Sequence, residues 1–168
     1  LSEVLAVVRD GMQAAGRESD GFFLRAESFY PLMTQVEAYE REAPHPYGEW
    51  GGKSPHERSH GEAFLALLTL RLRGRGLYLF DEPEAALSAQ RQLAVLTHLH
   101  ALVKNGSQMV IATHSPILLA YPHALIYECH EDGLQQVRYE ETEACRLTRE
   151  FMLRPERMME RLFAEEDP

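Results

Sequence analysis

The sequence predicts an α/β fold in which a mainly parallel sheet is flanked by helices, all within a single domain over residues 1–168. Three observations carry that expectation. Two short apolar runs, Leu77-Tyr-Leu-Phe80 and Met109-Val-Ile-Ala112, end in polar residues. This is the pattern of strands buried on both faces of a parallel sheet. Between them, Ser88 to Asn105 has Leu93, Leu96, Leu99 and Val103 at helical spacing, with Gly106 at the expected stop. A strand, a helix and a strand at this spacing make one right-handed crossover unit.

The remaining elements follow in chain order. Leu1 to Ala15 reads as an amphipathic helix through Leu5, Val8 and Met12, followed by a polar break over Gly16 to Asp20. Gly21-Phe-Phe-Leu-Arg-Ala-Glu27 has the aromatic and aliphatic content of a short strand. Ser28 to Glu42 reads as a helix with Ser28 as its cap and Pro31 in its first turn. Ala43 to Pro55, with three prolines and three glycines, is a loop. Arg58 to Leu72 is a second helix. Leu125 to His130 and Gln135 to Tyr139 flank Asp132-Gly133 as a hairpin. The tail is helical from Thr142 and then turns acidic.

Composition narrows the functional classes. Of 168 residues 45% are hydrophobic, enough for a core. With 17 Lys and Arg against 26 Asp and Glu, the net charge is −9, which excludes an overall basic footprint for nucleic acid. The two cysteines, Cys129 and Cys145, make no disulfide framework, and a reduced thiol pair is the simpler reading. No apolar run approaches the roughly 20 residues of a membrane span. A cytoplasmic protein without a membrane partner is the expectation.

Three segments concentrate chemistry. Leu77 to Phe80 ends abruptly in Asp81-Glu82-Pro83, and Met109 to Ala112 ends in Thr113-His114-Ser115-Pro116. In open parallel sheets ligands bind at the carboxyl ends of strands. Acidic residues also open helices after strands, where they complement the dipole, and a lone histidine at a strand end is more often structural. Two independent strand ends converging on one edge favour a site. The third segment, Arg58-Ser-His-Gly-Glu62, opens an apolar helix. Ser59 and Glu62 have capping-box spacing. Gly61 is not required by such a box and costs about 1 kcal/mol within a helix. It suits a phosphate approaching the backbone N–H groups at the helix N-terminus.

In this order the three segments resemble the second half of an ABC-type ATPase, a P-loop NTPase-like fold, in its soluble chromosome-maintenance and DNA-repair branch. Leu77 to Pro83 resembles the Walker B strand with its following glutamate, Ser59-His-Gly-Glu62 the signature motif, and Ala112 to Pro116 the switch-histidine segment. Phe22 to Glu27 stands where the family places its Q-loop. The resemblance covers roughly Gly21 to Tyr139. It implies binding and hydrolysis of ATP with Mg²⁺, the ion held through water by Asp81. It further implies that Glu82 polarises the attacking water and that His114 contacts the γ-phosphate. Ser59 and Gly61, with Glu62 beside them, would face the nucleotide of a second copy in an ATP-sandwiched homodimer, and Glu27 would take the Q-loop position.

Several positions depart from the family pattern: Glu27 replaces Gln, His60 stands where many members have glycine, and Ser88 replaces the D-loop Asp. There is no G-x-x-x-x-G-K-[ST] segment. Gly48-Glu-Trp-Gly-Gly-Lys-Ser54 has one residue too few between its glycines, and Pro55 follows directly. The expectation is that the N-terminal part, with first strand, phosphate loop and helix, lies upstream of Leu1, and that the fragment as given binds ATP poorly and is impaired as an ATPase without it. Two rivals stand beside this reading. One is a metal-dependent phosphohydrolase or nuclease using Asp81, Glu82 and His114, and the other a non-catalytic, ATP-switched dimerisation module. A soluble ATPase of this kind is compatible with a DNA, toxin–antitoxin or defence partner.

Overall fold

The computed structural model describes residues 4–8, 20–42, 47, 50, 52–72 and 75–164. Its strands are β1 (Val4–Val8), β2 (Asp20–Arg25), β3 (Gly76–Asp81), β4 (Gln108–Ala112), β5 (Leu125–His130) and β6 (Gly133–Val137). Its helices are α1 (Phe29–Arg41), α2 (His60–Arg71), α3 (Ala89–Lys104), the single turn α4 (Pro116–Leu119), α5 (Glu143–Leu153) and α6 (Pro155–Phe163).

The strands form one six-stranded mixed sheet in the order β2-β3-β4-β1-β5-β6. β2, β3 and β4 run parallel, with Arg25, Asp81 and Ala112 in register at one end. β1 then lies antiparallel to both β4 and β5, and β5 and β6 pair as a hairpin. The parallel order expected from the sequence therefore holds over β2 to β4 and stops at β1.

Among the described residues two cores hold the sheet. The larger joins Leu24, Tyr78, Phe80 and Ile111 of the sheet to residues of α1, α2 and α3. At its centre the rings of Phe29 and Phe64 lie 5.3 Å apart in a tilted contact, each burial contributing about 1.5–3 kcal/mol. Tyr78 and Phe80 are buried while Leu77 and Leu79, which alternate with them, are only half-buried. β3 is thus packed fully on one face, not on both. The smaller core joins Val4 and Ala6 to Leu119 and Ile126.

Local differences from the expectations have physical reasons. Within the expected helix Leu1 to Ala15, Val4–Val8 is a strand, and residues 9–15 lie outside the described residues. Val-Leu-Ala-Val-Val also satisfies a two-residue alternation, burying Val4 and Ala6 and half-burying Leu5 and Val7. α3 begins after Ser88, whose hydroxyl accepts from Arg91 N. It buries Gln92, Val95, Leu99, Leu102 and Val103, leaving Leu93 exposed. Ser28 precedes α1 without a side-chain capping bond. Gly106 takes φ +87° at the helix stop, as a left-handed terminus requires. β6 begins at Gly133, so Tyr139 falls in a following 3₁₀ turn. The helical tail is broken once, at Arg154-Pro155. Cys129 and Cys145 are both free. Among the described residues no helix is long and apolar enough to cross a membrane.

Candidate functional site

The parallel register of β2, β3 and β4 brings three chain reversals to one edge of the sheet. Asp81 closes β3 and Glu82 follows it in the left-handed region, at φ 49° and ψ 48°. Such a backbone is uncommon for a residue with a Cβ and is concentrated at functional sites. It is held there by its own amide, which donates to the Ala112 carbonyl at 2.9 Å, and by Ala85 N donating to its carbonyl at 3.1 Å. The first of these bonds ties the end of β3 to the end of β4.

His114 stands just beyond β4, and its Nε2 lies 3.7 Å from Glu82 Oε1. Both side chains remain open to solvent, 43% and 55% exposed. The loop carrying His114 is fixed by Glu84, whose Oε1 accepts from the amides of His114 at 2.7 Å and Ser115 at 3.1 Å. Ser115 completes the turn. Its hydroxyl donates to Gln92 Oε1 at 2.5 Å and accepts from the amides of Ile117 and Leu118, capping α4.

Beside this pair a cleft of about 200 Å³ is lined by Arg25, Ala26, Glu27, Asp81 and Glu82. Arg25 Nε donates to Asp81 Oδ2 at 2.6 Å, a charge-assisted bond across neighbouring strand ends. Asp81, Glu82, Glu27 and His114 thus share one sheet edge. Arg25 and Glu84 had no place among the residues singled out from the sequence. Arg25 sits 56 residues from Asp81, and only the β2–β3 register reveals the pair.

Ser59, Gly61 and Glu62 form a second cluster at the start of α2. Ser59 and Glu62 make a capping box, with Glu62 Oε2 accepting from Ser59 N at 2.9 Å. The Glu62 carboxyl is held below its ordinary range by hydrogen bonds from the Ser59 amide and hydroxyl, with Arg91 and Arg58 adding charge attraction. Arg91 Nη2 donates to Ser59 Oγ at 2.9 Å and stands 3.5 Å from Glu62 Oε1. A Cβ built on Gly61 would lie 2.4 Å from Arg91 Cδ. The Arg91 side chain crosses the helix start, so a Cβ at Gly61 would oblige that arginine to shift.

Hard oxygen donors around Asp81 suit a cation such as Mg²⁺, which commonly takes one or two carboxylates and completes its shell with water and substrate phosphates. Among the described residues no group of three or more His, Cys, Asp or Glu side chains is arranged to hold a metal ion. Asp81, with Glu82 and Glu27 nearby, would therefore hold such an ion only with oxygens supplied by substrate and water. Of the segment Gly48 to Ser54, Trp50 and Ser54 are buried, and Gly48, Glu49 and Gly51 lie outside the described residues. No family model, curated protein or solved structure matches the chain.

Proposed function

We propose that the chain is an ATP-binding and ATP-hydrolysing subunit of the ABC type, whose strand-end cleft receives the phosphates of a magnesium nucleotide. The observation that supports this reading is the Glu82–His114 pair at 3.7 Å, open to solvent beside the cleft that Asp81 lines. In this reading Glu82 orients a water and takes its proton, and His114 holds an oxygen of the transferred phosphoryl group. Mg²⁺, when bound, would neutralise charge on the phosphates, with Asp81 as its carboxylate. For Asp81 to serve, its bond from Arg25 must open.

The second cluster gives the sandwiched dimer a specific form. With Arg91 over Gly61, a partner's phosphate approaching α2 meets the Arg91 guanidinium before it meets bare backbone. Ser59, which already accepts from Arg91, would orient that group. The metal-dependent nuclease reading needs several carboxylates converging on an ion, and the described residues favour it less than a substrate that brings its own oxygens.

Phosphate release from Mg-ATP tests the proposal. With a phosphate loop supplied upstream of Leu1, turnover that falls at least about 100-fold in Glu82→Gln is the expected result. Equal turnover in the two proteins would reject Glu82 as the catalytic residue. Nucleotide-independent cleavage of DNA with a divalent ion would move the assignment to the nuclease class.

A further inference from the structure

Glu82 and His114 are carried by two separate turns, and their separation is only as fixed as the contact between those turns. Glu82 opens the turn that runs through Pro83–Ala86 to Leu87, between β3 and α3. His114 lies in the turn between β4 and α4. Glu84 joins the two once, through the amides of His114 and Ser115. A second junction is buried, and Gln92 of α3 makes it. Gln92 is 9% exposed and Ser115 6%. Gln92 Oε1 accepts from the Ser115 hydroxyl at 2.5 Å, and its Nε2 donates to the Leu87 carbonyl at 3.2 Å. The two ends of one amide thus hold the two turns. The Ser115 hydroxyl decides which end faces which. Its oxygen already accepts from the amides of Ile117 and Leu118, so its single hydrogen goes to an acceptor, the side-chain carbonyl of Gln92.

The other buried residues of α3, namely Val95, Leu99, Leu102 and Val103, are all apolar. Packing alone would be served by another apolar side chain, and burying an amide costs free energy unless its polar ends are bonded. What the amide adds is a fixed reach between two turns, from a helix whose start is itself anchored by the Ser88 cap. We infer that Gln92 is a positioning residue that sets how closely His114 approaches Glu82. The inference rests on the proposed reading of that pair, and Gln92 acts on it through Leu87 and Ser115. The turn that begins at Glu82 is held at both ends, by the bond from the Glu82 amide to Ala112 and by the bond from Gln92 to Leu87. Ser115, the residue after His114, is held from α3 as well as by Glu84. Without the amide each turn keeps its own strand but loses its tie to the other through α3. The 3.7 Å approach of His114 Nε2 to Glu82 Oε1 is then no longer enforced from the buried side.

Magnetic resonance of the full chain, labelled with ¹⁵N at histidine and free of nucleotide, tests the inference. The ring resonances of His114 are assigned from His114→Ala. They are expected to move on Glu82→Gln, because that carboxylate stands beside the ring. In Gln92→Met, which fills similar space without the amide's bonds, this response is expected to be lost while far-ultraviolet circular dichroism is unchanged. Ser115→Ala cuts the same bond from its other end, is expected to lose the response too, and carries the test if Gln92→Met does not fold. A role in stability alone would lower the urea midpoint and leave the response intact. A response of parental size in the folded variants therefore overturns the inference, as does a parent whose His114 ring is unmoved by Glu82→Gln. Turnover supplies an independent arm. With a phosphate loop supplied upstream of Leu1, Gln92→Met is expected to lower kcat for Mg-ATP about 10-fold, with KM within about 2-fold of the parent. A parent without turnover would reject the nucleotide reading and not the positioning, which the resonances decide.

Discussion

The carboxyl edge of β2, β3 and β4 and the start of α2 both gather charged side chains around chain termini of regular elements, and both have the chemistry to meet a phosphate. They differ in what occupies them. At the sheet edge Glu82 and His114 are half-open, and Asp81 is engaged on one oxygen by Arg25. At the helix start the Arg91 side chain crosses Gly61 and holds Ser59, while Glu62 is spent on the capping box. An edge assembled from three distant strands leaves space among its side chains, because each backbone is committed to the sheet. A helix start sealed by its own cap and by a neighbouring arginine leaves little.

The largest effect expected from this contrast is on turnover. Glu82→Gln removes the proposed base from the open edge and is expected to lower phosphate release at least about 100-fold. Ser59→Ala, at the sealed start, is expected to change turnover far less, because the Arg91 side chain still crosses Gly61 there. Comparable losses in the two variants would erase the distinction. Next in size is Glu84→Ala, which takes away the carboxylate accepting two backbone amides of the His114 loop. A loss of about 2 kcal/mol in unfolding free energy is expected, measured by urea denaturation, together with reduced turnover. Full stability in that variant would mean the loop is held by other contacts.

A smaller effect tests the seal itself. Gly61→Ala gains about 1 kcal/mol of helix propensity but collides with Arg91. In the Arg91→Ala background the collision is gone, so the same substitution is expected to stabilise. The difference between backgrounds is a coupling of about 1 kcal/mol, read from a thermal or urea double-mutant cycle. Zero coupling would show that Arg91 does not rest on Gly61 in solution.

The smallest effect is on pH dependence. The carboxyls of Glu62 and Glu37 lie below the ordinary range, the first through the Ser59 amide and the second through the Ser54 hydroxyl. Asp20 also lies below it; burial acts in the opposite sense but is outweighed by hydrogen bonds from Arg71 and Tyr78. A folded value below the unfolded one means that stability is fully present above the ordinary carboxylate range of about 4. It is lost as pH falls through the lowered values. The urea midpoint is therefore expected to drop below about pH 4, and Glu62→Gln to flatten part of that slope. An unchanged slope would leave the contribution to Asp20 and Glu37.

The sequence made the open edge more legible than the sealed helix start. Leu77-Tyr-Leu-Phe80 and Met109-Val-Ile-Ala112 are unmistakable as strands, and parallel neighbours must deliver Asp81, Glu82 and His114 to one rim. The partner of Asp81 was hidden, because Arg25 belongs to a third strand whose register no local pattern encodes. Gly61 has a neighbour that the sequence did not reveal. Its spacing fits a phosphate approach, and the fold adds a long arginine from the first turn of α3 that lies over the same position. β1 was misjudged because Leu5, Val8 and Met12 match a helical period while Val4 to Val8 match a strand. Only the slot between β4 and β5 decides between them.

A kinetic double-mutant cycle on Glu82 and His114, read as phosphate release from Mg-ATP, bears most directly on the paired edge. If the two side chains act on one phosphoryl transfer, the double variant Glu82→Gln/His114→Ala is no slower than Glu82→Gln alone, because residues that work as a unit are not additive. Losses that multiply, or a Glu82→Gln variant as fast as the parent, would contradict it.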